Sequence, residues 1–262
     1  MDFTIEELSM NGWPSLQTIL LDGWIIRMSG GYSKRSNSIN PVYSYENDAR
    51  ANSVSSMHTK ENSLDRKIEY CENIFCKNNL PVIFKVIDCN EHKIIDRRLE
   101  ELHYEKIDLT SVQICEEIKI NKISENISIE RDFSDEWKNC LYQCNKINIP
   151  DTKETIANML KNVKHDVISV YKMENGHFAG CGYGVAERGF VGLFDIVVNE
   201  DFRGKGYGKE IVEAILSKAN EAGIYKAYLA VVDNNTVAKS LYKKLGFKEA
   251  YKYWYRKKVI EK

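Results

Sequence analysis

The chain has 262 residues, enough for two ordinary domains, and a formal net charge of -1 at pH 7. This balance disfavours a nucleic-acid partner, because nucleic-acid binders usually carry a basic excess. The acidic N-terminal MDFTIEEL and the absence of a run of about 18 apolar residues predict no signal peptide, no membrane association and a cytoplasmic protein.

The first half of the chain has a helix, a strand, a second helix and a second strand, in that order. The segments that carry this pattern are IEYCENIFCKNN at 68–79, LPVIFKVID at 80–88 and LEELHYEK at 99–106. An earlier segment, GGYSKR at 30–35, has two glycines and two cations. Such a loop is either a solvated turn or a weak anion site.

A polar stretch near residues 120–127 predicts a boundary between two domains, 1–122 and 127–262. In the second domain, antiparallel hairpins precede a βαβ unit, which predicts a mixed α/β (α+β) sheet flanked by helices. Ser134 is the expected N-cap of its first helix. Strands are predicted at 127–131, 167–172, 177–185, 190–198, 226–232 and 247–256, and helices at 135–147, 150–163, 209–223 and 236–245.

The seven cysteines of the chain are scattered and form no C-x-x-C pair. Cys140 and Cys144 are spaced to share a helix face, but no histidine stands near them as a metal ligand. We therefore expect free thiols and no metal. Cys181 lies in a predicted strand, where it is either a small buried residue or part of a site wall.

A glycine-rich turn joins the apolar strand LFDIVV to a helix, within residues 193–208. N–H groups at a helix N-terminus have no intrahelical partner, and the helix dipole is positive there. The turn therefore predicts a seat for phosphate or pyrophosphate. A P-loop is excluded because Glu210 follows Lys209, and the dinucleotide fingerprint is excluded by glycine spacing. The predicted seat comprises Arg203, Gly204, Lys205, Gly206, Tyr207 and Gly208.

Two motifs carry a resemblance to a known family. The spacing Arg203-x-x-Gly206-x-Gly208 resembles the R/Q-x-x-G-x-G/A motif of the GNAT superfamily of acyl-CoA-dependent N-acyltransferases. The segment 235–247, NTVAKSLYKKLGF, is similar to a second signature of that family. The two occur in the family's order, and the resemblance covers about residues 127–262.

The resemblance implies an N-acetyltransferase that moves an acetyl group from acetyl-CoA to a primary amine of a small molecule or peptide, by direct attack and without a metal. It implies that pyrophosphate lies on residues 203–208 and that Tyr242 protonates the departing thiolate, although a core aromatic is the alternative for Tyr242. Asn235 is either a ligand of the cofactor or a helix cap. The main-chain groups implied to bind the pantetheine arm are those of Ile196, Val197 and Val198.

The general base is less clearly marked by the sequence. Asp195 stands beside these strand residues, where a carboxylate would bind an ammonium or relay a proton, or would be an ordinary exposed strand residue. Glu187 is a weaker candidate, since the turn at 187–189 explains it without a function.

The first half also resembles a fainter copy of the second. When Gly246-Phe247 is aligned with His103-Tyr104, the helix–strand order recurs, with Leu99 at the position of Tyr242 and His92 at that of Asn235. Residues 57–62 replace the glycine loop. We therefore expect tandem GNAT-like domains, of which the N-terminal one is degenerate and the C-terminal one complete.

Two classes of function are left open by the sequence. The first is an active N-acetyltransferase, and the second is a non-catalytic acyl-CoA-binding module with a sensory or structural role. Loss of Tyr242 or of the glycine loop would have favoured the second, and both are present. The sequence names neither the amine acceptor nor the oligomeric state.

Overall fold

The computed structural model describes residues 3–42, 60–119, 124 and 126–259. These residues form the mixed α/β fold expected from the sequence, in two compact units. The first unit comprises Met1–Glu6, Ser15–Thr110 and Tyr251–Lys262, and the second comprises Glu7–Pro14 and Ser111–Ala250. The units differ from the expected ranges 1–122 and 127–262. The reason is that one helix, Thr4–Gly12, and two strands, Glu105–Cys115 and Lys248–Lys258, each have residues in both units. Residues 120–123 and 125, near the expected boundary, lie outside the described residues.

Among the described residues, the first unit contains a mixed sheet and two α-helices that lie wholly within it. Its strand order is β1-β2-β3-β4-β11-β5, in which β3 and β4 run parallel and β11 pairs antiparallel with β4. The elements are β1 (Gln17–Leu21), β2 (Trp24–Met28), β3 (Ser38–Pro41), α2 (Lys60–Lys77), β4 (Val82–Ile87), α3 (Lys93–Glu101), the first part of β5 (Glu105–Cys115) and the last part of β11 (Lys248–Lys258).

The buried residues of this unit include an apolar cluster and an ion pair. One face carries an apolar cluster in which Phe84 contacts Trp24 and Tyr104 edge to face. Charged groups are also buried in this unit: the Lys85 Nζ lies 2.5 Å from the Glu6 Oε2, and both side chains are buried. A buried ion pair of this kind is tolerated only when it is well hydrogen-bonded, and the Tyr251 hydroxyl donates to the other Glu6 oxygen at 2.6 Å.

The second unit has strand order β11-β5-β10-β9-β8-β7-β6, with only residues 111–115 of β5 and 248–250 of β11. The predicted strands 190–198 and 226–232 are confirmed at their stated bounds, and Ser134 caps its helix as expected. The elements are β6 (Ile127–Glu130), α4 (Asp135–Cys144), α5 (Pro150–Lys161), β7 (Asp166–Glu174), β8 (His177–Glu187), β9 (Phe190–Val198), α6 (Tyr207–Glu221), β10 (Lys226–Val232) and α7 (Thr236–Lys244).

Helix α6 packs against β8 at unusually close range. A Cβ atom on Gly182 would lie 2.4 Å from the Ile196 Cδ1 and 3.2 Å from the Ile211 Cγ2, and one on Gly184 would lie 2.5 Å from the Ile215 Cγ2. Separations of 2.4 and 2.5 Å are closer than real Cβ contacts, so a larger residue at either position would force a neighbouring isoleucine to move. Gly184 therefore lets α6 lie close to β8, and Gly182 makes room for the Ile196 side chain of β9.

The second unit also includes residues from the start of the chain, which the sequence did not predict. Helix α1 (Thr4–Gly12) belongs to this unit from Glu7 onward. Trp13, the first residue after the helix, is buried and stacks on Tyr183. The Tyr183 hydroxyl donates to the Gly12 carbonyl at 3.0 Å, and the Asn11 amide donates to Glu187. This segment is therefore part of the second unit's folded core.

Candidate active site

Strand β9 carries a β-bulge next to its C-terminal end. Tyr183 of β8 pairs with Phe194, and Cys181 pairs with Val197, so one residue on β8 faces two on β9. Asp195 takes up this extra residue with a φ of +46°. A positive φ is uncommon for a residue with a side chain and marks local strain, which often accompanies a functional site.

Beyond the bulge, β9 and β10 separate. Their parallel register runs from Phe190 with Lys226 to Leu193 with Leu229 and does not continue to the ends of the two strands. The inner edge of β9 from Phe194 onward therefore has main-chain groups that β10 does not pair. An extended ligand could bind there as an added strand would.

The glycine loop follows directly and leads into α6. Gly206 is the N-cap of α6 in the left-handed conformation, with a φ of +88°, and Gly204 has a φ of +79°. The N–H groups of residues 204–208 have no hydrogen-bond partner in the part of the chain that the structure describes. Successive unpaired N–H groups at the positive end of a helix form an anion site.

Two cations flank these N–H groups. The side chains of Arg203 and Lys205 are exposed, the Arg203 Nε lies 3.4 Å from the Val198 carbonyl, and the Lys205 Nζ lies 5.0 Å from the centre of the Phe202 ring. Both contacts are weak, so both cations are available to a phosphate.

Helix α7 contributes the third part of the site. The Asn235 Oδ1 accepts from the Ala238 N–H at 3.1 Å, so the structure shows the helix-cap role of this residue. Tyr242 is buried, and its ring meets Phe247 at a centroid distance of 5.8 Å. Burial raises the pKa of the Tyr242 phenol to about 12.

The three parts meet at Gly208, in the first turn of α6. A Cβ atom on Gly208 would lie 3.5 Å from the Val198 Cγ2 and 3.9 Å from the Leu241 Cδ2. The glycine loop, the end of β9 and the helix that carries Tyr242 are thus neighbours. The unpaired N–H groups of the loop therefore lie near both the end of β9 and α7.

Comparisons with known proteins identify the family of this segment. Residues 128–247 match the model of the acetyltransferase (GNAT) family. Residues 128–247 belong to the GNAT acetyltransferase family. This match contains β9, the glycine loop and α7, and the two motifs noted in the sequence fall inside it.

Relatives and solved structures also match the chain beyond this segment. It is 24% identical over 258 residues to an uncharacterized N-acetyltransferase, YobR, of Bacillus subtilis, covering 96% of each chain. It shares the fold of a GCN5-related N-acetyltransferase from Kribbella flavida, with a TM-score of 0.68, 11% identity, and coverage of 98% and 95%. A tandem GNAT protein from the clavulanic acid biosynthesis pathway shares the fold over 78% of this chain and 72% of its own, with a TM-score of 0.59 and 11% identity. The tandem GNAT fold is therefore confirmed.

The two candidate bases, Asp195 and Glu187, have different surroundings. Asp195 lies half-buried in the bulge of β9. Glu187 accepts from the Asn11 amide at 3.0 and 3.1 Å and lies 3.3 Å from the His165 Nε2, so its role at the hairpin turn is structural.

The cysteines of the GNAT segment are core residues. Cys140, Cys144 and Cys181 are all buried and free, with the first two sulfurs 3.9 Å apart. The complete burial of Cys181 agrees with the packing role rather than a place on the site wall. Among the described residues, no group of His, Cys, Asp and Glu side chains has a geometry that could hold a metal ion, and no helix is long and apolar enough to span a membrane.

Proposed function

We propose that this GNAT protein is an acetyl-CoA-dependent N-acetyltransferase whose acceptor is a primary amine of a small molecule or a peptide. The observation that carries the proposal is the run of unpartnered N–H groups at 204–208, next to the unpaired edge of β9. This pairing of an anion seat with an open strand edge suits a ligand that has a pyrophosphate at one end and an amide-containing arm.

Acetyl-CoA has these two parts. Its pyrophosphate would accept from the N–H groups of residues 204–208, with Arg203 and Lys205 adding opposite charge. Its pantetheine amides would pair with the main chain of Ile196, Val197 and Val198.

Acetyl transfer would then proceed by direct attack. The lone pair of the acceptor amine forms the C–N bond, the carbonyl oxygen gains charge, and a main-chain N–H near Val198 stabilises that charge. The C–S bond breaks, and the thiolate takes a proton from the Tyr242 hydroxyl. The nitrogen loses its extra proton, directly or through water, to Asp195, which serves as the base in this proposal.

The raised pKa of Tyr242 affects this step. With a pKa of about 12, the phenol stays protonated throughout the physiological range and always has a proton to donate. It is also a weaker acid than an exposed tyrosine, so transfer to the thiolate is less favourable in isolation. If the thiolate leaves beside the buried phenol, desolvation would raise the thiol's own pKa and reduce that mismatch.

We also propose that the first unit does not bind acetyl-CoA. Leu99 and His92 stand where the second unit has Tyr242 and Asn235, and both are buried. Residues 57–59, part of the expected replacement for the glycine loop, lie outside the described residues. The proposal predicts a stoichiometry of one acetyl-CoA per chain.

The direct experiment is a screen of primary amines with acetyl-CoA in which free thiol is measured. Acetyl-CoA should raise the melting temperature, since ligand at 100 times its Kd stabilises the native state by about 2.7 kcal/mol. Release of thiol that depends on one class of amine would support the enzyme. Binding of acetyl-CoA without turnover on any amine would favour a non-catalytic acyl-CoA-binding module, and no binding would overturn both.

A further inference from the structure

Strand β7 carries a lysine on the face that packs against α6. The side chains of Ile168 and Val170 belong to the apolar cluster that contains the buried side of α6. Because side chains alternate along a strand, Lys172 lies on the same face, and it is only 6% exposed. An apolar residue is the usual choice at such a position, so the buried ammonium group calls for a physical reason.

The ammonium group of Lys172 contacts two residues in the first turn of α6. The Lys172 Nζ lies 2.9 Å from the Glu210 Oε2 and 4.8 Å from the centre of the Tyr207 ring. This Glu210 oxygen is buried, and within the described part of the chain Lys172 is its one ion-pair partner. A buried carboxylate without a cation is costly, so the two charges depend on each other.

The ion pair lies beside the proposed pyrophosphate seat. Glu210 is the only acidic residue between positions 203 and 210, and it stands two residues after the N–H groups of 204–208. Side chains on a helix lean toward the helix N-terminus, so the Glu210 carboxylate extends back toward those N–H groups. Without a compensating cation, it would repel a phosphate bound there.

Stability alone does not account for this pair. Replacing a buried ion pair by uncharged residues of similar volume is often neutral or stabilising, because the two charges no longer have to be desolvated. The position of the pair, against the turn that begins α6, points instead to the charge of the anion seat.

We propose that Lys172 sets the affinity of this site for acetyl-CoA by neutralising Glu210, which would otherwise oppose the pyrophosphate. The inference rests on the acetyl-CoA site proposed above. Lys172 acts through Glu210 and does not itself touch the ligand, so it is a positioning residue rather than a catalytic one.

Calorimetric titration of acetyl-CoA and of inorganic pyrophosphate into the full chain at pH 7 tests the proposal through the sign of two effects. Lys172→Met leaves the charge of Glu210 uncompensated, and both probes should bind about tenfold more weakly. Glu210→Gln leaves the charge of Lys172 uncompensated, and both probes should bind about threefold or more tightly. A role in packing alone would weaken binding in both variants, because each breaks the same contact.

The double variant Lys172→Met/Glu210→Gln keeps the test decisive if Lys172→Met does not fold. It leaves no charge unpaired, so it should melt near the wild-type temperature and bind both probes with wild-type affinity. The controls are Lys218→Met and Glu221→Gln, which break a 2.7 Å ion pair at the other end of α6. That pair is roughly 16 Å further along the helix, beyond the distance over which salt screens charges, so affinity should not change.

Weaker binding in Glu210→Gln, or weaker binding in a folded double variant, would overturn the role of Lys172. Failure of the wild-type chain to bind acetyl-CoA would instead overturn the proposed function, and the effects on pyrophosphate would then decide the role of Lys172. Failure to bind either probe would overturn both.

Discussion

Two glycine-rich loops, one in each unit, have similar compositions and opposite hydrogen-bonding states. In the first unit, the Asn37 Oδ1 accepts from the N–H groups of Ser29 and Gly31, at 2.8 and 2.9 Å, and Lys34 is paired with Asp108 at 2.6 Å. In the second unit, the N–H groups of residues 204–208 have no partner in the described part of the chain. Glycines and cations therefore do not by themselves make an anion site. The difference between the two loops is that the N–H donors of the second are unpaired.

Helices α3 and α7 repeat this contrast. Asn235 caps α7, but His92, its counterpart before α3, makes no side-chain cap and accepts through Nδ1 from the Ile87 N–H at 3.0 Å. Leu99 replaces Tyr242 and is completely buried. The first unit thus has a buried leucine and an uncapped helix start where the second unit has a buried tyrosine and an asparagine cap.

The largest effect is expected from separating the units at the boundary that the sequence suggests. A fragment of residues 127–262 lacks Trp13, Cys115 and Ile118, which are all buried in the second unit. We expect it not to fold, because loss of several large core groups exceeds the usual stability of a domain. Near-ultraviolet circular dichroism checks this. A cooperative melt of the fragment would show that the GNAT segment is self-sufficient.

The contrast between Leu99 and Tyr242 is tested by Tyr242→Phe. Once an acceptor is known, we expect turnover to fall by about 10²–10⁴, the usual contribution of a general acid, and the Kd for acetyl-CoA to stay the same. Steady-state kinetics and calorimetry measure the two effects. Wild-type turnover at every pH would assign Tyr242 to packing alone.

The anion seat is tested at Gly208, whose backbone does not require glycine. Gly208→Glu adds a negative charge beside the proposed pyrophosphate, and we expect acetyl-CoA affinity to fall by roughly a thousandfold, from about 4 kcal/mol for like charges 4 Å apart. Gly208→Ala is the matched control and should bind normally, since its Cβ meets only ordinary contacts. Retained affinity in a folded Gly208→Glu protein would place the pyrophosphate elsewhere.

The buried phenol predicts a loss of stability at high pH. The pKa of Tyr242 is about 12 in the folded chain and about 10 in the unfolded chain. Its contribution to the free energy of unfolding is therefore constant below pH 10 and is lost as the pH rises toward 12. Relative to Tyr242→Phe, which has no such group, the loss should be about 1.4 kcal/mol at pH 11 and should approach about 3 kcal/mol only above pH 12. Urea melts at pH 9 and near pH 11 compare the two chains, and parallel losses in both would contradict the assignment.

The smallest expected effect comes from reversing one charge in each loop. Lys205→Glu should weaken acetyl-CoA binding by about tenfold or more, because an attractive charge near the phosphates becomes repulsive. Lys34→Glu, the counterpart in the first unit, should leave affinity unchanged and cost only a surface ion pair. Similar effects of both variants would mean that the first loop also meets the ligand.

The sequence predicted those parts of the fold that depend on local patterns. The apolar runs of β9 and β10, the cap at Ser134 and the glycine turn before α6 are each written in consecutive residues, and each is confirmed. The joining of residues 7–14 and 111–118 to the second unit was not predicted, since pairing between distant segments leaves no local signal.

The candidate site was predictable in part for the same reason. Glycine spacing indicated the anion seat, and the helix pattern placed Asn235 and Tyr242 on α7. The bulge at Asp195 was missed because it depends on the register with β8, in which Gly182 faces two residues. The role of Gly182 itself was missed because GCGYG resembles any strand until the side chains packed against it, Ile196 above all, are known.

The glycines of β8 have one further consequence, for which substitutions the sheet tolerates. A Cβ atom on Gly182 would lie 2.4 Å from the Ile196 Cδ1, and Ile196 directly follows the strained residue Asp195. A single methyl group on Gly182 would therefore press on β9 more than on α6. A conservative change in one strand would in this way disturb its neighbour beside the bulge.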